Sequence, residues 1–144
     1  MQPSDDPKET PGQGLAILAE ALYVSNLLVL PVFSFLALAW LFMRCDKDTP
    51  ILATAHINQT FAASLWAGVL LVLVNLMIVA LGGYDGIHTW TLVILYFTVF
   101  HSAFVLLGIL GLAKAMAGQC WRFPIIGPRL PHNCEDTCVH DHKD

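Results

Sequence analysis

From Ala21 to Met43 the chain runs for 23 residues without an Asp, Glu, Lys or Arg. At about 1.5 Å per residue, such a run can cross a hydrocarbon layer roughly 30 Å thick. After the polar stretch Arg44 to Asp48, no such side chain appears until Asp85, and within that interval Phe61 to Leu81 contributes 21 almost wholly apolar residues. The turn-like Gly82-Gly83-Tyr84-Asp85-Gly86 precedes a third run, Trp90 to Leu112, of 23 residues. The runs are continuous, not alternating. Three such segments cannot close a barrel, and lipid does not tolerate unpaired backbone. The pattern predicts an all-α integral membrane protein with three transmembrane helices, at about residues 21–43, 61–81 and 90–112 of a membrane domain covering 15–130. Prolines and glycines mark residues 1–14 as a disordered leader, and 131–144 form a Cys/His-rich polar tail.

Composition agrees with that reading. Of 144 residues, 56% are hydrophobic and 12% charged, against about 25% charged in an ordinary soluble domain. One small domain cannot bury such an excess, which argues against a soluble enzyme. A net charge of −4 leaves no basic surface for nucleic acid. With three crossings, Lys8 lies on one side, and Arg44, Lys47, Lys114, Arg122, Arg129 and Lys143 on the other. The positive-inside rule then sets the N-terminus outside and the C-terminus in the cytoplasm of a multi-pass membrane protein. A cleaved signal peptide competes for the first run, since Ala37-Leu38-Ala39 resembles a processing site. Its flank is acidic, however, and the run exceeds the usual apolar length of such peptides.

Polar side chains inside the runs need partners. Asn26 and Asn75 fall at nearly equal depth and are expected to hydrogen-bond, a contact worth about 0.6 kcal/mol; each bonding its own backbone is the alternative. Pro31 is expected to kink the first helix. His101 lies near mid-membrane, level with Ser34 and Gly68, either as a functional group or as a neutral imidazole tied to Ser34, Ser102 or a carbonyl. Haem ligation would need a second imidazole at that depth, and His56 and His88 lie near opposite surfaces. Ser64, Gly68, Gly111 and Ala115 form small-x-x-x-small pairs suited to close helix contact.

Thr49-Pro50 is a helix start, so the second helix can begin well before Phe61. Its first turns carry His56, Gln59 and Ala63 on one face, placed to touch the segment after the third helix. The short charged loop Asp46-Lys47-Asp48-Thr49-Pro50, His56-x-x-Gln59, and Trp121-Arg122-Phe123-Pro124-Ile125-Ile126 flank the second and third runs. Together they resemble the small bacterial membrane proteins related to Tic-type chloroplast inner-envelope import components, over Arg44 to Leu130. Thr60, Ala62 and Ala63 depart from that family's Ala, Asn and Phe. The resemblance implies a helical topology in a bacterial inner membrane and a part in membrane-protein transport or assembly. It also implies His56, Gln59, Arg122 and Pro124 as family positions joining the inner helix ends.

Cys45, Cys120, Cys134 and Cys138 all fall on the predicted cytoplasmic side, where disulfides are disfavoured. Cys134, Cys138, His140 and His142 are soft and borderline ligands for zinc or copper, though not at zinc-finger spacing. In an oxidising compartment, a Cys134–Cys138 disulfide is the better reading. No nucleophile triad, phosphate loop or carboxylate pair points to an enzyme. Two readings remain. One is a non-catalytic scaffold, accessory subunit or translocation component in a lipid bilayer, self-associating or joined to a larger complex. The other is a metal-handling or redox membrane protein using the tail.

Overall fold

The computed structural model describes residues 10–131 and Cys134. Among them the elements are α1 (Gln13–Leu28), α2 (Pro31–Met43), α3 (Ile51–Ala80), α4 (Thr89–Leu95), a π-helical turn (Tyr96–His101) and α5 (Ser102–Met116). The last three form one continuous rod, Thr89–Met116. Residues 117–131, which follow α5, are a non-helical strap.

The first apolar run is not one helix. Proline has no N–H to continue a helical ladder, and it forces the residue before it out of helical geometry. Leu30 accordingly sits at φ −130°, ψ 71° and Pro31 opens a new helix. The reversal is complete, as packing along the helices shows. Ala16 meets Leu52 and Ala115, Ala19 meets Ala53 and Ile57, and Tyr23 meets Ala63, Ala67 and Phe104. Thus α1 runs parallel to α3 and antiparallel to α5. Returning, α2 places Phe35 on Phe61 (ring centroids 6.0 Å) and Leu38 against Ala53 and Ile57, and then Cys45 reaches Thr54 at 3.5 Å. The arms of this α1–α2 hairpin are tied by a 3.0 Å bond from Ser34 Oγ to Ser25 Oγ.

At about 1.5 Å per residue, α1 and α2 reach about 24 and 20 Å, short of a bilayer core. Two helices, Ile51–Ala80 and Thr89–Met116, are long and apolar enough to cross a membrane. The expectation of three helices able to cross is therefore corrected to two of sufficient length, with a hairpin beside them. Gln13 Nε2 donates to the Met116 carbonyl at 2.6 Å, so the start of α1 lies beside the end of α5, which the three-span reading set apart. Hydropathy could not show this, because both arms of a hairpin in lipid are as apolar as a straight span.

The second helix begins at Ile51, ten residues before the apolar run used to place it. Thr49 Oγ1 accepts the Asp46 N–H at 2.9 Å, so the hydroxyl closes the loop and does not cap α3. The second half of α3 and much of the rod are bare, with only 22% and 17% of their most apolar windows buried. Such surfaces suit lipid, where water would oppose them. The hairpin tip, with Val29, Val32 and Phe33 all exposed, shares this character.

Candidate functional site

Among the described residues, a cluster of buried polar contacts gathers where α1, α3 and the strap meet. The buried face of α1 is Ala16, Ala19, Glu20 and Tyr23, a helical stripe that includes one carboxylate. Glu20 and His56 are both fully buried, with His56 Nδ1 2.7 Å from Glu20 Oε1. The other imidazole nitrogen, Nε2, lies 3.0 Å from the Gln119 carbonyl. A carbonyl can only accept, so Nε2 carries a proton. The Nδ1···Oε1 contact then holds one further proton, as imidazolium and carboxylate or as imidazole and carboxylic acid. Either arrangement is neutral overall, which is what a buried pair requires. Burial pushes the Glu20 carboxyl above the ordinary carboxylate range, and the His56 contact opposes that shift.

Local sequence sets this geometry. Gly118 at φ 67° ends α5, and the N–H groups of Gly118 and Gln119 return to Ala115 and Lys114 at 3.0 and 2.9 Å. This left-handed cap needs a residue without a Cβ penalty, and it turns the Gln119 carbonyl toward His56. Gly111 supplies the space for the carboxylate: a Cβ there would lie 2.5–2.7 Å from the Glu20 carboxyl atoms. Glu20 Oε2 is buried without a hydrogen-bond partner in the described protein.

One turn on, Gln59 clamps the strap from both sides. Its Nε2 donates to the Pro128 carbonyl at 2.7 Å, and its Oε1 accepts the Phe123 N–H at 3.2 Å. Phe123 is fully buried, edge-on to Tyr23 at 5.5 Å. Arg122 Nε donates to the Gly127 carbonyl at 3.2 Å, so this cation braces the strap internally. Pro124 opens a tight turn, its carbonyl accepting the Ile126 N–H at 2.9 Å. Between them Ile125 stands at φ 72° and is fully exposed. A β-branched residue resists that conformation, so the clamp imposes it.

The expected contact between the His56/Gln59 face and the segment after the last helix is thus present, and His56, Gln59, Arg122 and Pro124 take part in or adjoin it. Glu20 is the residue that sequence reading missed. In the sequence it belongs to the acidic flank of the first run, although its place in the Ala16-Ala19-Glu20-Tyr23 stripe is a signal of burial. Cys120 pairs with Cys134, their Cα atoms 6.0 Å apart. The oxidised partner of Cys134 is thus Cys120, where the sequence reading offered Cys138, and a Cys134 so paired is not a metal ligand. Cys138, His140 and His142 lie outside the described residues. Among the described residues, no three His, Cys, Asp or Glu side chains are grouped to hold a metal.

The asparagines do not meet. Asn75 Nδ2 donates to its own helix at Leu71, and its Oδ1 accepts Tyr84 Oη at 2.9 Å. Asn26 is carried on the opposite element, close to the hairpin turn that the three-span reading did not contain. Nor does His101 bond Ser34 or Ser102, which are taken by Ser25 and the Phe97 carbonyl. Its ring rests against Phe97 at 5.1 Å. Gly111 and Ala115, expected at close helix contacts, make theirs within the chain, against α1. No family model, curated protein or solved structure matches the chain. The Tic-type resemblance rests on its residues alone.

Proposed function

We propose that this chain is a non-catalytic, multi-pass membrane protein that serves as a scaffold or accessory subunit in membrane-protein transport or assembly. On this reading it engages its partner through the strap. The observation that carries it is Ile125, an apolar side chain held fully exposed in a conformation it resists, by a clamp built from buried polar groups. Backbone strain of that kind costs on the order of 1–3 kcal/mol and persists where the surroundings enforce it. A presented apolar side chain suits contact with another protein.

Charge supports an orientation. All five basic residues among the described ones, Arg44, Lys47, Lys114, Arg122 and Arg129, belong to the end where the strap closes, and the loop at the other end holds Asp85 and no Lys or Arg. The positive-inside rule sets this end, with both the start of α1 and the strap, in the cytoplasm.

A photo-crosslinking residue at position 125 tests the reading in native membranes. One defined polypeptide should be captured, and capture should fall when Gln59→Leu releases the clamp. Crosslinks confined to lipid, or unchanged by Gln59→Leu, would remove the strap as a contact surface. Extraction of the chain by alkaline carbonate would remove the membrane reading itself.

A further inference from the structure

Where the α1–α2 hairpin ends and α3 and the rod diverge, the helices line an open-sided cavity of about 790 Å³. Its walls are mostly apolar, but four side chains with polar atoms line it: Asn26 from α1, Ser64 from α3, and Tyr96 and His101 from the π-helical turn. Ser64 is 4% exposed, and its Oγ is buried without a hydrogen-bond partner. Neither Asn26 nor His101 has a side-chain hydrogen bond within the described protein. Polar groups left so in an apolar setting are costly, and in a membrane they mark function by default.

The π-helical turn is an independent observation. Tyr96–His101 is the one segment of the rod that departs from α geometry among the described residues, and Tyr96, Phe97 and His101 from it all line the cavity. Insertions of this kind recur at functional sites, because the wider turn re-aims side chains at the loss of regular hydrogen bonding.

We propose that this cavity binds a neutral, lipid-dissolved molecule carrying ring carbonyls, of the isoprenoid-quinone class. The inference rests on the membrane reading above but not on the partner assigned to the strap. Depth selects the ligand. Ser64 lies 13 residues from the start of the 30-residue α3, about 20 Å along the helix. Phospholipid head groups and ester carbonyls stay at the interface, so they do not reach this level. A quinone ring has no charge to hold it at the surface. Its carbonyls can accept from the Ser64 hydroxyl, the Asn26 amide and whichever His101 nitrogen is protonated, while its prenyl tail leaves through the open side. The volume falls in the range typical of small-molecule sites, roughly 300–1,000 Å³.

The test uses the full chain in lipid nanodiscs with an azido-benzoquinone bearing a prenyl tail as the photoprobe. Labelling should concentrate on residues 64–68 and 96–101 and be competed by the non-azido quinone. Ser64→Ala and His101→Phe should each weaken the competitor's Kd by about tenfold, the equivalent of one good hydrogen bond. Gly68 lines the cavity, and a Cβ placed on it meets nothing within 4 Å, so Gly68→Leu should fold normally and abolish labelling. Equal competition by a prenyl hydrocarbon without carbonyls would overturn the proposal, since the cavity would then merely hold acyl chain. So would unchanged labelling in a folded Gly68→Leu protein. A crosslinker at position 68 that captures only another polypeptide in native membranes would assign the site to a partner helix and also overturn it. None of these outcomes bears on whether the chain stays in the membrane after carbonate treatment, which is scored separately.

Discussion

Glu20 shows how much one side chain decides. A carboxylate inside an apolar helix is unfavourable by itself, and His56 with the Gln119 carbonyl makes it acceptable by neutralising it and joining three parts of the chain. Removing one member of a buried pair leaves the other uncompensated, at about 3–5 kcal/mol. Glu20→Ala should therefore lower stability by that order in detergent-solubilised thermal unfolding. Glu20→Gln should lose far less, because an amide can still donate to Nδ1. A Glu20→Ala protein as stable as the parent would show that the pair does not tie the fold. Gly111→Ala presses a methyl onto the same carboxylate and should cost about 1–3 kcal/mol. The two changes should not add, since Glu20→Ala vacates the space that the added methyl needs; an additive double mutant would place the contact elsewhere.

Among elements, the hairpin and the strap depend on one another. The α1 helix is held by α3 on one side and α5 on the other, and the strap closes over the end of that sandwich through Gln59. Replacing Gln59 with Leu leaves the Phe123 N–H unpaired in a buried place and takes the side-chain partner from the Pro128 carbonyl at its edge. The expected loss is about 1–3 kcal/mol, seen as faster proteolysis within residues 119–131 while α3 and the rod stay protected. Protection of the strap equal to that of the parent protein would mean the clamp is redundant. The His56-x-x-Gln59 spacing was legible as a face directed at this segment, because an i, i+3 pair on a helix points one way. What it would grip was not legible, since each bond spans more than sixty residues.

For the molecule as a whole, the decisive question is which loops share a side. With three spans, Pro11 and Asp85 would lie together and Cys45 opposite; with the α1–α2 hairpin, Pro11 and Cys45 lie together and Asp85 opposite. Single cysteines at 11, 45 and 85, labelled with an impermeant maleimide in intact cells and in inverted vesicles, should give the second pattern. Labelling of 11 together with 85 would restore the straight first helix. The Cys120–Cys134 pair lies at the basic end, which the positive-inside rule assigns to a reducing compartment. Acid-quenched cells should therefore yield the dithiol, and mild oxidation the disulfide. A disulfide present throughout in quenched cells would turn the molecule over in the membrane. Closing a loop of this length constrains the unfolded chain by about 3 kcal/mol in the chain-entropy treatment, so reduction should loosen the strap before it affects the helices.

Long apolar runs, the missing charges within them, and the Gly-rich turn at 82–86 were enough to determine an all-helical chain whose second and third runs suit a membrane, because hydropathy and turn chemistry are local properties. Pro31 announced a break in the first run, but a proline reports only that hydrogen bonding is interrupted. Whether the chain bends or doubles back depends on what the second arm can pack against. Here Leu38 finds Ala53 and Ile57, and Phe35 and Phe42 find Phe61. The same holds for Glu20 and for the Cys120–Cys134 pairing: burial and partnership of a polar group are set by neighbours distant in sequence, and those neighbours exist only once the helices have come together.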